Sequence, residues 1–217
     1  MSLDVLFINP GNAKKIYQDL AEDYSAIETP TWALLLAQSC RSVGYGVAIL
    51  DANAERLTNA DVVERIKNLN PRLICFVVYG QNPNSGTVNM SGTVALASDI
   101  KKSGINIPIS VVGSHVQSLP YETLTQEEDI DIIFANEGVY ALRNLLEIKN
   151  LHDTEQLSNV RGIGYMKDGE AFLTPPEKVV PQDRMDIDLP GYAWDLLPYK
   201  ERPLDLYRAP MWHAEYV

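Results

Sequence analysis

Histidine, carboxylate and cysteine carry most enzyme chemistry, and this chain disposes them sparsely. His115, His152 and His213 are its three histidines. They fall in separate segments, without the H-x-x-x-H or H-x-x-E spacing that sets two metal ligands on one helix face. His115 stands just past an apolar run, placed either to face a ligand or to bond loop backbone. His152 follows a helix end, where its charge suits the negative pole of the dipole. Glu137 opens a helix, and the positive pole there accounts for it without catalysis. Cys40 and Cys75 each lie in an apolar segment, far from the spacing a zinc or iron–sulfur site needs. They read as buried thiols of a reducing, cytosolic protein.

The phosphate-binding signatures are missing too. No G-x-G-x-x-G follows a strand, since Gly44-Tyr45-Gly46 precedes one, and there is no P-loop or G-x-S-x-G elbow. Asn9-Pro10-Gly11 and Tyr79-Gly80 occupy the places where a phosphate-accepting receiver would need aspartates. With neither a nucleophile–base pair nor a paired acid and base, the residues describe a binding surface better than a catalytic one.

The elements that position this surface follow from periodicity. Leu3 to Ile8, Val47 to Leu50, Leu73 to Tyr79, Ile109 to Val112 and Ile130 to Phe134 are short, β-branched or aromatic runs, read as strands. Between them lie helical patterns: Thr31 to Val43 (Thr29 as N-cap, Pro30 at the first helical position), Ala60 to Leu69, Val88 to Lys102, a short piece near Tyr121 to Thr125, and Val139 to Lys149. Gly80 to Gly86 reads as a polar loop. Five strands alternating with helices predict an α/β fold, a parallel sheet covered on both faces. Ligands bind such sheets at the carboxyl ends of the strands. Two strand-to-turn junctions, Val111-Val112-Gly113-Ser114-His115 and Ile133-Phe134-Ala135-Asn136-Glu137-Gly138, mark that edge with small residues.

Past Leu151 the alternation stops. Gly162 to Met166 and Glu170 to Leu173 flank Lys167-Asp168-Gly169, a β-hairpin pattern. From Thr174 the chain is punctuated by proline and reads as an extended arm. This divides it into residues 1–151 and an arm, 152–217. The net charge of −11 disfavours nucleic acid and anionic membrane as partners. No apolar run reaches the ~20 residues of a membrane span, and the N-terminal run lacks a signal-peptide pattern.

At these same residues the chain resembles the N-terminal cobalamin-binding domain of B12-binding radical SAM proteins. Ile8-Asn9-Pro10 is similar to that family's first strand end. Pro30 with Leu34-Leu35-Leu36-Ala37 and Val43-Gly44 is similar to its first helix and turn, and Ile49-Leu50-Asp51-Ala52 to its second strand end. Val111 to His115 with Leu119-Pro120 is similar to a strand, Gly-Gly-x-His turn and following proline. Asp131-Ile132-Ile133 with Glu137-Gly138 resembles an Asp-x-x-x-x-Gly-Glu-Gly segment. Arg161 to Tyr165, Leu189-Pro190 and Trp194 to Pro198 look like the linker to the catalytic barrel. Ser114 and Asn136 stand where the family usually has glycine.

The resemblance implies a flavodoxin-like, doubly wound, Rossmann-like three-layer domain. Its corrinoid would be held by Asn9, Pro10, Gly11, Tyr79, Gly80, Ser85, Gly113, Ser114, His115, Asn136, Glu137 and Gly138. With no D-x-H-x-x-G after the first strand, the corrinoid would bind base-off without a protein histidine on cobalt, its nucleotide tail threading between the sheet and the loops at Tyr79 to Ser85 and Gly113 to Ser114. The radical SAM barrel, bearing the [4Fe–4S] cluster and S-adenosylmethionine, is expected in cis after Val217, so the chain alone is read as non-catalytic. The alternative is the same scaffold without cofactor, serving as an interaction or substrate-docking domain.

Overall fold

The computed structural model describes residues 2–11, 27–79, 83–198 and Tyr207, with the side chains of 83–88 outside that description. The elements are β1 (Val5–Asn9), α1 (Thr31–Ser42), β2 (Val47–Asp51), α2 (Asn59–Leu69), β3 (Leu73–Val78), α3 (Pro83–Lys102), β4 (Ile109–Gly113), α4 (Ser114–Ser118), α5 (Pro120–Gln126), β5 (Ile132–Phe134), α6 (Val139–Glu147), α7 (Thr154–Leu157), β6 (Ile163–Lys167), β7 (Glu170–Leu173) and α8 (Met185–Asp188). The five predicted strands pair in parallel in the order β2-β1-β3-β4-β5. The chain turns one way from β1 and the other way from β3, so a topological switch point lies between their carboxyl ends.

Alternation along the strands divides the core into two layers. Val5, Phe7, Cys75, Val77 and Phe134 pack against Ala33, Leu36 and Cys40 of α1 and Leu142 and Leu145 of α6. Leu6, Ile8, Phe76, Val78 and Val111 pack against α2 and α3 through Ile66, Leu96 and Ile100. β3 is buried along its whole length, as expected of a sheet centre covered on both faces. Both cysteines are buried free thiols, and burial pushes Cys75 up to about 12.

Four local expectations change. The hairpin does not stand apart: β6 pairs antiparallel with β5, and β7 with β6, making a seven-stranded sheet. The short β5 would otherwise leave an open edge, and the hairpin covers it. Its turn is as expected, with Asp168 and Gly169 both at positive φ, 53° and 85°. Helix α3 begins at Pro83, not Val88; proline is pre-organised for a first helical turn, where its missing N–H costs nothing. Pro30, rather than Thr29, is the N-cap of α1, and its carbonyl takes the Leu34 N–H. His115 lies in the one-turn α4, not a loop.

The arm after β7 folds back on the α1–α6 layer. The Ala193 N–H donates to the Leu34 carbonyl, Arg41 grips Asp195 through two hydrogen bonds of 2.6 and 2.8 Å, and Val180, Ala193 and Leu197 are buried. Asp188 is the main anchor. Arg143 of α6 reaches its carboxylate at 3.0 Å and its carbonyl at 2.8 Å, the Tyr140 phenol donates to it at 2.6 Å, and Arg184 donates at 3.0 Å. The Tyr140 hydroxyl first, then the guanidiniums, lower the Asp188 carboxyl to about 2.

Candidate functional site

In a parallel sheet the end of β1, the start of α1, the end of β3 and the turns after β4 and β5 converge at one edge. Asn9 closes β1, and its amide donates to Asp51 Oδ1 at 2.8 Å across the β1–β2 pair. Pro10 is buried and Gly11 exposed; a Cβ at Gly11 would stand 3.3 Å from the Ala52 carbonyl oxygen, so this turn runs close against the β2 end. Tyr79 follows β3, half-buried, with its ring 5.7 Å from that of Trp32 in the first turn of α1. Its hydroxyl accepts from Gln117 Nε2 at 2.6 Å, and burial pushes it up to about 12. Gly80 lies outside the described residues. Ser85 falls within α3, and its side chain lies outside them.

Gly113 ends β4 in extended conformation, and a Cβ there would meet the Val78 carbonyl oxygen at 2.2 Å. The glycine is therefore demanded by the neighbouring strand, and it is buried like the rest of β4. Ser114 and His115, both half-buried, begin α4.

The β5 turn is engaged differently. Asn136 Oδ1 accepts the Gly138 N–H, its Nδ2 donates to the Glu177 carbonyl, and its own carbonyl takes a second hydrogen bond from Gln117. Gln117 thus bridges the ends of β3 and β5 over β4. From sequence Glu137 opens the helix; in the structure it lies one residue before the N-cap, and its carboxylate is taken by the arm. The N-cap of α6 is Gly138 at φ 83°, and the Glu137 carboxylate accepts the Val180 N–H at 2.6 Å while its carbonyl accepts from Trp32 Nε1. Asn136 and Glu137 hold residues 177–180 of the arm. The remaining histidines lie elsewhere: His152 Nε2 sits 3.2 Å from the Asn106 carbonyl on an exposed surface, and His213 is outside the described residues.

Sequence reasoning left Asp51, Trp32, Gln117 and Tyr207 out of the site. Asp51 is 1% exposed; its Oδ1 also accepts the Ala54 N–H, and its Oδ2 accepts from the Tyr207 hydroxyl at 3.0 Å. Burial raises its carboxyl to about 6 against the opposing hydrogen bonds. A charged residue closing the apolar run Val47 to Leu50 was the available signal. No periodicity marks the other three. Among the described residues no group of three His, Cys, Asp or Glu could hold a metal.

This edge, uncharged among the described residues of β1, β3 and β4 and set at a switch point, defines an α/β ligand-binding domain. The chain belongs to the B12 binding domain family, whose model matches residues 18–146. It is 28% identical over 166 residues to an uncharacterized methyltransferase of Pyrococcus horikoshii, covering 76% of this chain and 32% of that protein. It is 24% identical over 173 residues to the anaerobic magnesium-protoporphyrin IX monomethyl ester cyclase of Synechocystis, covering 79% and 32%. The chain thus spans about a third of the length of these curated relatives. Its fold matches the cobalamin-dependent S-adenosylmethionine radical enzyme OxsB, with TM-score 0.63 at 18% identity over 89% of this chain and 24% of that one. It also matches the radical S-adenosylmethionine methyltransferase TsrM of Kitasatospora setae with cobalamin and a [4Fe-4S] cluster bound, with TM-score 0.61 at 16% identity over 84% and 30%. Among the described residues no helix is long and apolar enough to cross a membrane.

Proposed function

We propose that this chain binds a corrinoid along the carboxyl edge of its parallel sheet and, in a cytoplasmic parent enzyme, presents it to a radical SAM barrel that follows in cis. The family match across residues 18–146 carries the reading. The residues at the edge suit the cofactor: Gly113 carries no side chain at the end of β4, the Asn9-Pro10-Gly11 turn is small, and Asp51, the carboxylate described beside it, is buried. A large, mostly neutral ligand gains from broad contact with such a surface and a few fixed polar groups. Asn9 to Gly11, Tyr79, Gly80, Ser85 and Gly113 to His115 would line it. Asn136 to Gly138 would act from behind, by holding the arm beside it.

A bound corrinoid would supply a cobalt centre able to carry an alkyl group. This chain supplies the seat, and His115 receives no role on cobalt. The barrel, its cluster and S-adenosylmethionine belong to the proposed remainder of the parent enzyme.

To test this, the purified chain is incubated with hydroxocobalamin, desalted by gel filtration and scanned in the visible. Stoichiometric corrinoid co-eluting with the protein is expected. A colourless protein peak after incubation at saturating ligand sinks the reading and favours a cofactor-free docking scaffold.

A further inference from the structure

Asp51 is a fully buried carboxylate whose two oxygens are served in unlike ways. Oδ1 is built into the fold by the Asn9 amide and the Ala54 N–H, both beside it on the β1–β2 edge. Oδ2 receives its described donor from a hydroxyl 156 residues away, that of Tyr207. The Tyr207 ring is half-buried and, among the described residues, packs against a small apolar group, Ile27 and Ala54. A buried charged oxygen left without a donor is costly, so the acceptor must be filled either by the chain or by something bound there.

We propose that Asp51 Oδ2 is a binding point for a primary carboxamide of the corrinoid, and that the Tyr207 hydroxyl fills it when no cofactor is bound. The inference rests on the corrinoid reading and names the group that meets this end of the edge. The periphery of a corrin carries neutral primary amides, whose N–H donors match a carboxylate acceptor; a phosphate would be repelled. Asp51 pairs in register with Asn9 and so lies buried at the same carboxyl edge of the sheet, one strand outside the switch point between β1 and β3. Tyr207 then competes with the ligand, and its removal raises the binding-competent fraction.

The test is a titration of hydroxocobalamin into the full chain and into Tyr207→Phe, Asp51→Asn and the double variant, each checked for an unchanged far-UV spectrum. Tyr207→Phe keeps the ring and is expected to tighten binding about tenfold. Asp51→Asn turns the Oδ2 position into a donor and is expected to weaken it about tenfold. In the Asp51→Asn background, Tyr207→Phe is expected to change nothing. Unchanged or weaker binding by Tyr207→Phe in a chain that binds corrinoid overturns this inference alone. Absence of binding in all four overturns the corrinoid reading and this inference with it. Should Asp51→Asn not fold, a fluorine label on the Tyr207 ring decides: its resonance must move to a solvent-exposed position at saturation, and a static resonance overturns the competition.

Discussion

The carboxylate of Glu137 accepts the backbone N–H of Val180 at 2.6 Å, so the turn after β5 holds the arm. With Asn136 bonded to the Glu177 carbonyl, the two residues seat the arm on the β5 side of the binding edge. Charge-assisted hydrogen bonds to backbone are among the stronger local contacts. Glu137→Ala is therefore expected to raise amide hydrogen exchange at Val180 at least about tenfold, while β3 amides stay protected. Equal protection of Val180 in both proteins would contradict the contact.

The Asp188 anchor makes a second prediction. Asp188→Ala leaves Arg143, itself 9% exposed, without its charged partner. The expected loss is about 2–3 kcal/mol in urea unfolding, with early proteolytic cleavage between residues 175 and 190. Because its folded carboxyl titrates at about 2, below the ordinary value, this contribution is full above pH 4 and lost only as the pH falls through about 2.

Asp51 works in the opposite sense. Its folded carboxyl titrates at about 6, above that of an unstructured aspartate near about 4, so the unfolded chain releases the proton first. Stability is lost as pH rises from about 4 to about 6, on the order of 3 kcal/mol. Asp51→Asn removes this slope. Comparing urea midpoints of the two proteins at pH 4.5 and pH 7.5 is expected to show the variant gaining on the parent at the higher pH.

Gly113 is a packing requirement before it is a ligand contact. Gly113→Ala places a methyl 2.2 Å from the Val78 carbonyl oxygen, a backbone atom that cannot rotate away. A cost of about 2–3 kcal/mol in unfolding free energy is expected. A neutral substitution would mean that β3 and β4 can separate at this end.

Strand runs, helix spacing and the hairpin turn were readable because each is a local pattern of burial: β3 is apolar throughout, and Asp168-Gly169 takes the two positive-φ positions. The small-residue turns at the carboxyl ends of β1, β4 and β5 were readable for the same reason. What escaped depends on partners far apart in sequence. Asn136 and Glu137 stand at the edge as read, but their partners in the arm lie 41 and 43 positions later. Trp32 meets the Glu137 carbonyl 105 positions on, and β6 finds β5 only once the sheet has formed. Periodicity reports that a residue is covered, not what covers it.

The seat of the corrinoid is tested most directly by titrating diamagnetic cobalamin into nitrogen-15-labelled chain and mapping the amide shifts. The largest changes are expected at Asn9, Gly11, Tyr79, Gly113, Ser114 and His115, with the amino ends of the strands, near Arg72 and His152, unmoved. Shifts confined to those amino ends, or none at saturating cobalamin, would contradict a corrinoid on the carboxyl edge.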